Sequence, residues 1–173
     1  MEKKFTGTLE ELGGTKLFYE ETGMYIDPDQ LKKLPNIDTL IDIGVGAEGT
    51  PELYSLFDPS YLILIDPVKE ASIVAEELSK TKELTFYNCG VGHEAGTLSL
   101  NVEDAFGYSS FLDVTEINSR GDLKDIRNVE VKTLDSIILN EKRNLGKVGI
   151  KIDTEGYELN VIKGAKETLK NAE

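Results

Sequence analysis

The sequence has one cysteine, one histidine and no tryptophan. Cys89 cannot close a disulfide within the chain and cannot build a cysteine-based structural zinc site, so a cytoplasmic, reducing setting is expected. With His93 as the one histidine, no Ser-His-Asp set is credible. Long apolar runs are missing as well. The longest, around Leu62 to Ile65 and Ile137 to Leu139, are far too short to span a bilayer. Behind Met1-Glu2-Lys3-Lys4-Phe5 there is no apolar stretch, so no secretory leader is expected. Cations are in short supply: 19 Lys and Arg face 32 Asp and Glu, for a formal charge of -13. A surface that acidic repels phosphate backbones and anionic lipid, which argues against nucleic acid and membranes as partners. There is no internal repeat and no low-complexity tract.

What is present is a chain of 173 residues, long enough to bury one real core. It reads as a single domain, with residues 1–37 as an N-terminal cap segment and 38–173 as the core. Asp27-Pro28 pairs a capping residue with a first-turn proline and predicts a helix running to about Leu34. Thr39-Leu40-Ile41-Asp42-Ile43 is a short apolar strand ending in a glycine-rich loop. Thr50-Pro51 opens a helix through Leu53, Leu56 and Phe57. Tyr61 to Ile65 reads as a second strand, buried on both faces. The spacing of Val68, Ile73, Val74, Ala75 and Leu78 predicts a helix over Pro67 to Ser79, and Leu84 to Tyr87 a third strand. This β-α-β-α-β alternation implies a mainly parallel sheet with helices on both faces.

Further on, Thr97 to Val102 and Val129 to Thr133 alternate with period two, separated by a polar loop from Phe106 to Asp125. Leu134 to Glu141 predicts a short helix and Val148 to Asp153 another buried strand. Tyr157 to Lys170 carries Leu159, Val161, Ile162, Ala165 and Leu169 at helical spacing. A sheet ending at the Val148 strand would have an open edge, which a dimer or further strands would cover.

The chemistry concentrates in two blocks. Gly44, Gly46 and Gly49 form a G-x-G-x-x-G where a strand meets a helix, and Asp66 follows 22 residues after Gly44 at the end of the next strand. Glycines there permit a tight turn and a close ligand approach, and the acid can accept hydrogen bonds from both hydroxyls of an adenosine ribose. Read structurally, the same residues are turn glycines and a helix cap. A pyrophosphate-bearing dinucleotide favours bare amides. Asp42, two residues before the first glycine, and Glu48, inside the loop, bring negative charge, which suits the sulfonium and ammonium of S-adenosylmethionine instead.

The second block is Lys151-Ile152-Asp153-Thr154-Glu155-Gly156-Tyr157-Glu158, at the carboxyl end of a predicted strand, where ligands bind in such sheets. Lys151 inside a strand calls for an acid partner. Glu155 and Glu158 also suit a helix N-terminus through its dipole. Tyr108-Ser109-Ser110 lies in a loop that would cover the cleft. Two carboxylates alone do not identify a metal site, and none is expected.

Taken in order, Asp42-x-Gly-x-Gly, Ile65-Asp66-Pro67, Asn88-Cys89-Gly90-Val91-Gly92, Tyr108-Ser109-Ser110, Thr133-Leu134-Asp135 and the Lys151 to Glu158 block resemble the FkbM family of S-adenosylmethionine-dependent methyltransferases. The resemblance covers roughly residues 38 to 170. It implies a Rossmann-like class I methyltransferase fold, normally continued by further strands. It also implies S-adenosylmethionine as cofactor and O-methylation of a hydroxyl on a sugar, glycan or small natural product. By position it places Asp42, Gly44, Gly46 and Gly49 around the methionine part of the cofactor, Asp66 at the ribose, Asn88, Cys89 and Gly90 near the adenine, and Asp153 and Glu155 at the reaction centre. A general base would come from Asp153, Glu155 or His93. The alternatives are a cofactor-binding or interaction domain of the same fold without catalysis, and a nicotinamide-dependent oxidoreductase using the same glycines and acid.

Overall fold

The computed structural model describes residues 17–18, 25–26, 35–104, 106–112, 123–170 and 172. The helix predicted from Asp27 to Leu34 lies outside them. The chain divides into two units, Met1–Asn36 and Ile37–Glu173. In the first, β1 (Leu17–Phe18) pairs antiparallel with β2 (Tyr25–Ile26).

The second unit is built on β3 (Thr39–Ile43), all five of whose residues are buried. It has β4 (Tyr61–Ile65) on one side and β9 (Val148–Ile152) on the other, with β5 (Leu84–Tyr87) beyond β4; all three pairings are parallel. Alternation along the strands divides the core in two. Ile41, Ile43, Ile63 and Ile65 face Leu134, Ile137, Val161 and Ala165. These come from α3 (Leu134–Asn140), α4 (Glu158–Lys163) and the residue just after α4's terminal Gly164. Leu40, Leu62 and Leu64 face Tyr54, Ala71 and Ala75, supplied by α1 (Pro51–Phe57), the 3-10 turn Lys69–Ala71 and α2 (Ser72–Leu78). Helices thus cover both faces of a parallel sheet, the Rossmann-like arrangement that the apolar strands imply.

A second sheet joins β6 (Gly90–Val91), β8 (Leu123–Lys132) and β7 (Gly96–Glu103) in that order. The two period-two segments form an antiparallel ribbon from Gly96 opposite Val131 to Glu103 opposite Leu123. β8 starts inside the stretch expected to be loop, because its first residues lie on the ribbon's solvent side and carry little apolar signal.

Two helices differ from expectation. The one predicted from Pro67 begins later, as a 3-10 turn at Lys69 followed by α2, because the Val68 N–H is taken by the Asp66 carboxylate at 2.7 Å. Its expected stripe shifts too: Ala71 and Ala75 are buried, whereas Ile73 is exposed. The helix predicted over Tyr157 to Lys170 is broken into α4 and α5 (Lys166–Leu169). The break falls at Gly164, where a Cβ would stand 1.9 Å from the Gly92 carbonyl oxygen. The Asp135 carboxylate then caps α5, accepting from the N–H groups of Glu167 (3.1 Å) and Thr168 (2.8 Å) and the Thr168 hydroxyl. The break turns Leu159, Ile162 and Leu169 outward and leaves Val161 and Ala165 to fill the core. β9 is the end strand of the four-stranded sheet, and its Val148 makes one parallel bridge to Ala172.

Gly164 has an ordinary negative φ, so an alanine there would normally help a helix. The contact with Gly92 reverses that sign. Gly164→Ala is expected to lower stability by about 2–3 kcal/mol in urea denaturation, through forced backbone displacement. An unchanged or higher midpoint would show that the two segments are not in contact.

Candidate active site

Register places the site. Ile43 pairs with Ile65 on one side and Ile152 on the other, so the three strands end level. The next residue of each, Gly44, Asp66 and Asp153, therefore stands in one row at the carboxyl edge, where parallel sheets bind ligands. The ladder runs one bond further: Gly44 N–H donates to Ile65 O (2.9 Å) and Asp153 N–H to Ile43 O (3.0 Å).

Above this row lies an open cleft. Its floor is the strand ends, with Ile43, Ile65 and Val68 supplying apolar wall and Cys89 and Gly90 lying alongside. Asp66, Asp153 and Glu155 all line it, and no lysine, arginine or histidine does among the described residues. Its far wall comes from β7 and the segment that follows it: Leu100, Gly107, Ser109, Ser110 and Phe111.

Asp66 is 4% exposed. Its two oxygens accept from Gly46 N–H (2.8 Å) and Val68 N–H (2.7 Å), which leaves further lone pairs on each. Burial raises its pKa from the ordinary 3.8 to about 6, against the lowering effect of those two donors, and the nearby Asp42 adds to the rise. Gly46 also lines the cleft, at a φ of 64° that suits glycine.

Gly44 has a different duty. A Cβ there would stand 1.7 Å from the Asp153 carbonyl oxygen, so its glycine is demanded by the crossing of two chain segments. Gly49 does not line the cleft and packs on Tyr54 and Val74 instead. Glu48 is exposed on the turn.

Asp42 is not at the cleft surface. It is completely buried on the α1 face of β3. One carboxylate oxygen accepts from the hydroxyls of Tyr54 and of Thr50 (3.0 Å); the other has the Lys151 ammonium 3.1 Å away. Burial, and then the Asp42 charge, push the Tyr54 hydroxyl above its usual range, so it remains a donor. Lys151 has the acid partner its position calls for. It also donates to the Gly44 carbonyl (2.6 Å) and lies 3.6 Å from the Asp153 carboxylate.

The Asp153-to-Glu158 segment is a shaped turn. Glu155 (φ 50°) and Gly156 (φ 96°) are left-handed. The Glu158 carboxylate closes the turn, accepting from Thr154 N–H (2.9 Å), the Thr154 hydroxyl (3.2 Å) and Gly156 N–H (3.1 Å). Partial burial pushes Glu158 up, but these bonds hold its pKa below the usual glutamate range. Ser110 ties the far wall to the turn by donating to the Glu155 carbonyl at 2.8 Å, and accepts from Leu112 N–H.

Of the other residues expected at the site, Cys89 and Gly90 line the cleft. Burial pushes the Cys89 thiol up to about 11, so it is a neutral wall group. The Asn88 amide does not reach the cleft lining and donates to the Asp66 backbone carbonyl at 2.9 Å. His93 is half-exposed beside Glu94 and does not line the cleft. Phe111, outside the residues expected from the sequence, also lines the cleft. It packs against Tyr157 at a tilt of 56° with centroids 5.1 Å apart, and fits because Gly90 has no side chain, since a Cβ there would meet its ring at 2.5 Å. Its one sequence signal is an aromatic ring in an otherwise polar stretch.

The raised Asp66 pKa has a fixed sign in linkage. The folded state holds the proton more tightly than the unfolded, so this group favours folding most below about pH 4. That contribution, roughly 3 kcal/mol, is lost as pH rises to 6. Carboxyl-carbon NMR of the unliganded protein is expected to show one aspartate titrating near pH 6, missing in Asp66→Asn. A midpoint near 4 would mean the carboxyl is solvated.

Two comparisons, with curated proteins and with solved structures, give no match. The family model described as the methyltransferase FkbM domain matches residues 44–172, about three quarters of the chain, from the first glycine of the turn to the bridge residue beside β9. That span holds the glycine turn, Asp66, the far wall and the Asp153-to-Glu158 turn, and on this match the chain belongs to the FkbM methyltransferase family.

Proposed function

We propose that this methyltransferase uses S-adenosylmethionine and transfers its methyl group to a hydroxyl of a sugar, glycan or small natural product. The observation that carries the cofactor reading is the charge of the cleft: three carboxylates and no basic side chain among its described lining residues. A cationic sulfonium and ammonium suit that lining, while a pyrophosphate does not. This is also why a nicotinamide dinucleotide is disfavoured.

The residues present fit the group. Asp66, ionised at neutral pH, would accept from ribose hydroxyls with the lone pairs its two N–H donors leave free. Ile65, Val68 and Phe111 would border the base, with the neutral Cys89 and Gly90 beside it. Bound S-adenosylmethionine supplies an electrophilic methyl carbon, so the protein's main work is alignment. Asp153 and Glu155 line the same cleft, and in this reading either takes the proton of the reacting hydroxyl. His93 lies away from the lining, so the base is assigned to these two acids. Phe111 and the apolar strand ends exclude water from one side. The acceptor class rests on the family resemblance and on the clustering of acids at the mouth.

Titration calorimetry with S-adenosylhomocysteine is expected to show micromolar binding by the wild type and at least a thirtyfold loss in Asp66→Ala. Binding by the wild type should weaken about tenfold from pH 7 to pH 5, as Asp66 takes up its proton. NADH should not compete. A folded wild type that ignores S-adenosylhomocysteine, or an Asp66→Ala variant that binds equally well, would overturn the reading.

A further inference from the structure

The geometry points to Lys151, buried against Asp42, as a positioning residue that holds the glycine turn and Asp153 in register at the cleft. The Asp42 carboxylate is fully buried, and one of its oxygens has no well-aligned hydrogen-bond donor, only the Lys151 ammonium at 3.1 Å. Lys151 itself is 18% exposed in its side chain. From this anchored place the ammonium reaches two elements that line the cleft. It donates to the Gly44 carbonyl at 2.6 Å, and it lies 3.6 Å from the Asp153 carboxylate.

Each contact bears on a ligand-facing group. Gly44 is the first residue of the turn whose Gly46 N–H donates to Asp66. The Gly44 carbonyl belongs to the peptide immediately before the one that carries the Gly46 N–H, so holding it restrains the direction from which Asp66 receives that bond. Asp153 is 63% exposed in its side chain, and Lys151 is the one cation paired with it among the described residues. An unrestrained carboxylate on a strand end samples several rotamers; a neighbouring ammonium favours one.

The ion pair is thus more than a way to bury Asp42. A buried pair is seldom needed for stability, because a neutral pair of similar volume often serves as well. Here the lysine donates sideways, out of the pair and into the site. Asp42 acts one step further back: it keeps the ammonium in place and does not itself meet a ligand. Tyr54 and Thr50 hold its other oxygen from α1 and the residue before it.

The test uses the whole chain and separates positioning from stability. Lys151→Met strands the buried Asp42 charge and is expected to lower the Tm by about 10 °C. The double variant Asp42→Asn with Lys151→Met removes the stranded charge and should regain most of that loss. If Lys151 positions the site, the double variant still binds S-adenosylhomocysteine at least tenfold more weakly than wild type. Its Gly46 amide also exchanges with solvent at least tenfold faster, while the β4 amides keep their protection. Tyr54→Phe is the control: it loosens the same acid from α1 but leaves Lys151, so it is expected to lose Tm yet keep affinity and Gly46 protection.

The proposal is overturned if the double variant, or Lys151→Met alone should the double variant not fold, matches wild type in Gly46 exchange. It is equally overturned if Tyr54→Phe loses as much Gly46 protection as the lysine variants. The binding readout rests on the cofactor reading above; amide exchange does not. Failure of wild type to bind would count against the cofactor, and Gly46 exchange would still decide the role of Lys151.

Discussion

The level ending of three parallel strands is the constraint on which the rest of this protein depends. The register of β3 with β4 and β9 places Ile43, Ile65 and Ile152 in one row. A slip of one residue would turn every side chain to the opposite face of the sheet. The two halves of the core enforce the register, since each strand's alternate residues have matching helices on either side. Once the row is fixed, Gly44, Asp66 and Asp153 have no freedom over which edge they occupy. The floor of the cleft is a by-product of packing.

On that floor the protein divides its acids by environment. Asp42 and Asp66 are both buried aspartates near the glycine turn. Asp42 has a lysine and two hydroxyls, and is committed to the scaffold. Asp66 has two backbone N–H donors and no cation among the described residues, so burial leaves its proton more tightly held. It keeps lone pairs facing the cleft. Asp135 and Glu158 carry the same division outward. Both lie in the segments on which the sequence resemblance rests, and both cap or close backbone turns without lining the cleft. A short run of charge can therefore divide between closing backbone turns and lining the cleft.

Much of this was legible in the sequence, because apolar strands buried on both faces leave near-continuous apolar runs. The five-residue strands β3, β4 and β9 and the glycine turn could be read almost to the residue. Asp66 was legible for the same reason, being the first polar residue after such a run. What the sequence concealed depends on contacts between distant segments. Nothing local marks Gly164 as a helix break, since its reason is the carbonyl of Gly92. Nothing local separates Asp42 from a ligand-facing acid, since its partners come from α1 and from β9. Phe111 and His93 show the same limit from opposite sides: a ring in a polar loop joins the cleft wall, and the single histidine stays outside it.

The link between Lys151 and the Gly44 carbonyl joins residues 107 apart in sequence. Chain growth runs from the N-terminus, so the glycine turn and Asp66 are synthesised long before their counterpart exists. A contact of such sequence separation raises the contact order of the fold, which slows folding. β3 must therefore wait with one edge unpaired and Asp42 without its cation until β9 arrives. The pairing that completes this edge of β3 is also the one that brings Lys151 and Asp153 to the cleft, so the scaffold and the site share a single docking event.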